Sequence, residues 1–192
     1  MPSNTKTYLP ELDGLRAFAV SIVIINHFNK DLMPSGFLGV DIFFLISGFV
    51  ITSSLYRRSE NNFWKFISSF YSRRIKRIFP ALIYCVIISA IFLCFFNDSP
   101  KYEIKSAITS LFGLSNFYFI KIAMDYFSQT SEINPFLHTW SLGVEEQFYF
   151  IFPFIFWNSG FASNQILSFK KFIIRIGLLS LISLIGFVFL YQ

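Results

Sequence analysis

LRAFAVSIVIINHF, residues 15–28, decides how this chain is to be read. Apart from Arg16, Ser21, Asn26 and His27 the stretch is apolar, as a membrane helix would be, yet it holds two ionisable side chains. Ionisable groups inside a span are costly and by default mark a site. Arg16 and His27 stand eleven residues apart, close to three turns at about 3.6 residues per turn, so one helix face carries both, roughly 16 Å apart along its axis. Each has a plainer explanation when taken alone. An arginine near a helix end can snorkel to the headgroups, and a histidine can be satisfied by an interhelical hydrogen bond. The two on one stripe, with Asn26 adjacent, predict a lined cavity.

The composition supports a membrane setting. Hydrophobic residues make up 54% of the 192 and aromatic residues 21%, against 14% charged, which excludes an ordinary soluble domain. The first residues, MPSNTKTYLPELDG, carry Glu11 and Asp13 and no small-residue cleavage site, so the first helix is expected to be retained rather than removed as a signal peptide. Cys85 and Cys94 lie nine positions apart in one apolar run, too far to pair on a straight helix, and read as lipid-facing or packing residues. The formal charge of +5 comes from basic residues beside apolar runs. Topology accounts for them, and no nucleic acid partner is expected.

Runs near the ~20 residues of a span occur at 15–33, 36–56, 78–96, 140–157 and 172–191, with a weaker one at 104–122. The expected fold class is an all-α integral membrane protein, a polytopic bundle of five or six hydrophobic helices. Arg57, Arg58, Lys65, Arg73, Arg74, Lys76 and Arg77 lie between the second and third spans against only Glu60. The positive-inside rule therefore predicts a multi-pass protein of the cell membrane with this segment, 57–77, and the N-terminus in the cytoplasm. If 104–122 crossed fully, Lys170, Lys171 and Arg175 would fall outside, against the charge bias. A re-entrant or interfacial segment is preferred. It would place Asp125, Glu132, His138, Glu145 and Glu146 on the outer side, with His27 and Asp41.

Three further stretches carry candidate chemistry. HTWSLGVEEQFYFIFP (138–153) sets two adjacent carboxylates before an apolar helix. Adjacent helical positions differ by about 100 degrees, so one of Glu145 and Glu146 can face the interior while the other meets a partner. The plainer reading is an aqueous helix start favoured by the dipole. GFLGVDIFFLISGFVIT (36–52) places Asp41 in an apolar run, where it can orient a histidine or form a salt bridge with Arg16, and holds Gly36, Gly39 and Gly48 as helix-packing residues. FWKFISSFYSRRIKRIFPA (63–81) has apolar residues at helical spacing and predicts an amphipathic segment on the inner membrane surface. Its basic end suits lipid headgroups, and arginine's planar fork suits the phosphates of a nucleotide-bearing donor. No phosphate-binding glycine loop, zinc-ligand spacing or serine nucleophile elbow occurs, and no metal is expected. Tyr118, Tyr126 and Trp140 can stack on sugars, although interfacial aromatics more often anchor.

These blocks, in this order, resemble the membrane-bound acyltransferase family 3, which includes O-acetyltransferases of lipopolysaccharide and other surface glycans. The resemblance rests on ELDGLRAFAVSIVIINHF with its arginine, ten residues and histidine, on GFLGVDIFFLISGFVIT, on YSRRIKRIFPA and on PFLHTWSLGVEEQFYFIFP. It implies transfer of an acyl group, usually acetyl, from cytoplasmic acyl-coenzyme A as donor substrate to a hydroxyl of a glycan or lipid-linked sugar. No bound cofactor is implied. Arg16 and His27 match the family's essential pair, and Asp41, Ser141 and Glu145 match recurrent positions. Arg74 and Arg77, with Arg73 beside them, fall where its arginine motif meets the donor; His138 and Glu146 are candidates for support.

The family domain has roughly ten helices, and at ~20 residues per span residues 1–192 hold only part of it. A second polypeptide with the remaining helices is therefore an expected partner, besides membrane lipids. In the mechanism this implies, His27 is the general base for the acceptor hydroxyl, steadied by Asp41 or Glu145, or a transient acyl carrier. The alternatives are a non-enzymatic transporter or scaffold using the same polar stripe, and an inactive truncated remnant.

Overall fold

The computed structural model describes residues 9–57, 62–124, 134–160 and 165–190. Among these every regular element is helical. Arg58, Glu60, Asp125, Tyr126 and Glu132, named above, lie outside the described residues. The chain falls into two compact units, Met1–Ser54 and Leu55–Gln192.

In the first unit, α1 (Pro10–Phe28) begins with proline in its first turn, where the missing N–H costs nothing. It ends five residues short of the expected 15–33 because Asn29 stops it. The Asn29 side chain accepts from the Asp31 and Leu32 N–H groups at 2.9 and 3.3 Å, an alternative to continuing the helix. Asn26 Nδ2 then donates to Met33 O at 2.7 Å, drawing the return segment back on α1. A short 3₁₀ turn (Gly36–Leu38) leads into α2 (Gly39–Tyr56). A Cβ on Gly36 would lie 2.5 Å from Ile22 O, and one on Gly39 would lie 2.6 Å from Ala19 O. Both glycines are therefore packing residues, as expected. A Cβ on Gly48 meets nothing within 4 Å.

The second unit is built on α3 (Phe63–Phe96), one helix of 34 residues capped by Asn62, whose side chain accepts from Lys65 N at 3.2 Å. The basic stretch is thus the N-terminal half of the third helix and not a helix of its own. Phe66, Ile67 and Phe70 are buried, and an aromatic ladder covers this apolar face. Phe66 stacks on Phe156 at 6.4 Å and meets Trp157 at 5.1 Å, and Phe63 meets Trp157 at 5.5 Å. The face expected to meet lipid is occupied by α6 (Thr139–Asn158).

The segment 104–122 is not one helix. It forms α4 (Lys101–Leu111) and α5 (Ser115–Met124), joined through Gly113, whose φ of 65° is a left-handed turn that favours glycine. At ~1.5 Å per residue each helix covers about half of a ~30 Å hydrocarbon core, so neither crosses one alone. Leu82 and Val86 of α3, Ala107 of α4, Phe119 and Ile122 of α5, and Phe136 form a common core. After Ser159 and Gly160 the chain turns into α7 (Gln165–Leu190), where Ser168 Oγ donates to Gly160 O at 2.6 Å and Phe172 meets Phe152 and Phe156 edge-on.

Among the described residues three segments are long and apolar enough to cross a membrane: Gly36–Tyr56, Phe63–Phe96 and Ser168–Phe189. The protein is an all-α membrane protein. The remaining long helices, α1 and α6, carry Arg16 and His27, and Glu145 and Glu146. Cys85 and Cys94 are unpaired and exposed on α3.

Candidate active site

Arg16 and His27 lie on the unbroken α1, so the shared face holds, and their axial separation of roughly 16 Å precludes direct contact. His27 Nδ1 is 2.9 Å from Val23 O, one turn back, and the ring is exposed. A carbonyl oxygen only accepts, so in the neutral ring Nδ1 carries the hydrogen and Nε2 keeps its lone pair. The group that orients this imidazole is the Val23 carbonyl and not Asp41, because a histidine in the last turn of a helix can reach its own preceding turn. Arg16 pairs with Asp13 at 3.1 Å, so the Arg16–Asp41 salt bridge does not form. Asp41 is exposed and makes no hydrogen bond among the described residues. Asn26 is committed to the Met33 carbonyl and holds the return segment instead of lining a cavity.

In the second unit Arg73 donates to Ser69 Oγ at 2.6 Å, and Arg77 is exposed. Arg74 lies over two rings, 4.7 Å from the centre of Tyr149 and 5.7 Å from Phe70. Tyr149 in turn donates its hydroxyl hydrogen bond to Glu145. Tyr71, one turn before Arg74, donates to Phe150 O at 2.8 Å. Glu145 is thereby joined to the Arg74 of the basic stretch through one ring. The contacts arise because α6 runs antiparallel along the N-terminal half of α3.

Glu145 and Glu146 diverge as adjacent helical positions must. Glu146 turns towards Gly113, where an added Cβ would strike its carboxylate. Beside it lies a polar seam that the sequence reading missed. Gln147 Nε2 donates to Asn116 Oδ1 at 2.8 Å and to Gly113 O at 2.9 Å, and Asn116 Nδ2 donates back to Gln147 Oε1 at 3.2 Å. Ser115 Oγ donates to Thr139 O, and the hydroxyls of Ser110 and Thr139 share a hydrogen bond, each at 2.6 Å. The signal was present as lone amides and hydroxyls within apolar helices, the residues that bind membrane helices together.

The remaining candidates are more local. Ser141 Oγ donates to His138 O at 3.1 Å, within the first turn of α6, and His138 is exposed at its N-cap. Tyr118 donates to Tyr102 O at 3.0 Å. Among the described residues no three His, Cys, Asp or Glu side chains gather as a metal would need. An open groove of about 700 Å³ between α6 and α7 is lined by apolar residues with Ser180 and Ser183, and no titratable group faces it.

Fold and polar residues together define a helical membrane protein whose candidate site residues lie on α1, at the start of α2, on the basic half of α3 and in the first turns of α6. A family model described as an acyltransferase domain matches residues 9–192, and the chain belongs to that family. It is 44% identical over 156 residues to O-acetyltransferase OatA of Staphylococcus aureus strain NCTC 8325 / PS 47, and equally to that of strains COL and MRSA252. Each match covers 77% of this chain and 24% of the relative, so the chain spans about a quarter of the length of the curated relatives it matches. No solved structure matches.

Proposed function

We propose that the chain acts in an O-acetyltransferase, moving an acetyl group from acyl-coenzyme A in the cytoplasm to a sugar hydroxyl of a cell-surface or lipid-linked glycan. Family membership supports acyl transfer, and the relatives' name supports acetyl. The observation that carries the site reading is His27, whose Nδ1 faces Val23 O at 2.9 Å and whose ring is exposed. Its Nε2 is the base. It takes the acceptor hydroxyl's proton as the oxygen attacks the thioester carbonyl. As the carbon–sulfur bond breaks, the imidazolium returns the proton to the departing thiolate. Arg16, roughly 16 Å along the same face, serves a different part of the substrates, and its charge suits an anionic group on the donor. Arg73, Arg74 and Arg77 hold the donor's phosphates through charge-assisted hydrogen bonds.

The test is transfer of radiolabelled acetyl from acetyl-coenzyme A to glycan in membranes containing this chain, beside His27→Ala. General-base loss predicts a fall of about 10²- to 10⁴-fold with donor binding retained. Equal labelling in both membranes would overturn the assignment of His27.

A further inference from the structure

We infer that Tyr149 is a positioning residue: it sets the orientation in which Arg74 meets the phosphates of the acyl donor, and Glu145 anchors it there. The inference rests on the donor reading of the basic stretch given above.

Three observations carry it. Arg74 differs from its neighbours, since Arg73 is tied to Ser69 on its own helix and Arg77 is exposed, whereas Arg74 is half-buried over an aromatic ring of another helix. Tyr149 is only 6% exposed, so the ring beneath the guanidinium is itself fixed. Its hydroxyl is bound to Glu145, one turn back on α6. A hydrogen bond donated to a carboxylate shifts electron density into the phenol ring and strengthens its attraction for a cation above it. A guanidinium held over a ring keeps N–H groups at its edge, and such a fork meets phosphate oxygens bidentately. Glu145 and Tyr149 would therefore act on the donor through Arg74, without touching the reacting atoms.

The experiment is equilibrium binding of radiolabelled acetyl-coenzyme A to the whole chain in phosphatidylcholine nanodiscs, which contain no anionic headgroup to compete. Tyr149→Phe keeps the ring and loses the hydroxyl, Glu145→Gln loses the anionic acceptor, and Tyr149→Leu loses the ring. Losing the ring should weaken binding by about tenfold and losing the hydroxyl or the charge by about threefold, the scale of a partly desolvated cation–π contact. Each effect should vanish in an Arg74→Ala background and persist in Arg77→Ala. The KM for donor should rise in step with the dissociation constant while kcat holds. Wild-type binding in Tyr149→Phe together with an undiminished effect of Tyr149→Leu in Arg74→Ala would overturn the inference and leave the donor reading standing. A wild-type chain that binds no acetyl-coenzyme A would instead overturn the donor reading, and this inference with it. Should Tyr149→Leu fail to fold, the volume-conserving Tyr149→Phe and Glu145→Gln decide.

Discussion

Asn116 of α5 and Gln147 of α6 exchange two hydrogen bonds, 2.8 Å in one direction and 3.2 Å in the other. Gly143 lets them approach, since a Cβ there would lie 3.2 Å from Asn116 Oδ1 and 3.0 Å from Ser115 Oγ. Where water is scarce, each amide is the other's substitute for solvent, and removing one strands its partner. Asn116→Leu and Gln147→Leu should each destabilise the chain by about 1–3 kcal/mol. The double variant should cost less than the sum of the two, because it leaves no orphaned side-chain amide and loses the Gly113 carbonyl's partner only once. Thermal unfolding in detergent measures all three, and simple additivity would show that the pair is not coupled.

The contact between α1 and the start of α2 depends on two missing side chains. A methyl group on Gly36 or Gly39 meets a backbone carbonyl at 2.5 or 2.6 Å, and a helix backbone cannot move aside as a side-chain tip can. Gly36→Ala and Gly39→Ala should therefore cost about 1–3 kcal/mol, the usual range for overpacking. Gly48→Ala is the internal control. It meets nothing within 4 Å and should be neutral or slightly stabilising, since alanine is the better helix former. Unfolding midpoints of the three variants would settle the contrast, and equal losses at all three positions would contradict it.

Helix existence was legible in the long apolar runs of α2, α6 and α7, and α6 stays one helix through Pro153. The face shared by Arg16 and His27 followed from spacing alone, because an unbroken helix allows no other arrangement. The end of α1 was misjudged because Asn29 acts through its side chain, which apolar counting overlooks. The placement of Glu145 beside Arg74 was hidden for a different reason. Charge bias assigns loops to sides of a membrane, but it says nothing of a long helix such as α3 carrying its basic half alongside another helix. The aromatic ladder of Phe63, Phe66, Phe156 and Trp157 read only as hydrophobicity until its two halves faced each other.

Gly113 joins α4 to α5 at a φ of 65°, and its α-carbon faces the carboxylate of Glu146. Gly113→Ala adds two separable costs, a left-handed L-residue at about 1–2 kcal/mol and a clash with the acid. Glu146→Ala in the same chain should relieve the clash and leave the backbone cost. Partial rescue of the unfolding midpoint is thus expected from the double variant. Full rescue would mean that the turn tolerates alanine, and no rescue would mean that Glu146 does not press on it.

The hydrogen bond from His27 Nδ1 to Val23 O makes a prediction that does not depend on turnover. In free neutral histidine the Nε2–H tautomer predominates, so a ring held as Nδ1–H carries the mark of its surroundings. Nitrogen-15 spectra of histidine-labelled chain in His138→Gln, which leaves His27 as the one labelled ring, should show a protonated Nδ1 and a non-protonated Nε2 at a pH where the ring is neutral. The base would then be the nitrogen farther from the helix backbone, where an incoming hydroxyl can reach it. Spectra with the opposite assignment would mean that the Val23 carbonyl does not set the tautomer, and the proton-accepting role would pass to Nδ1.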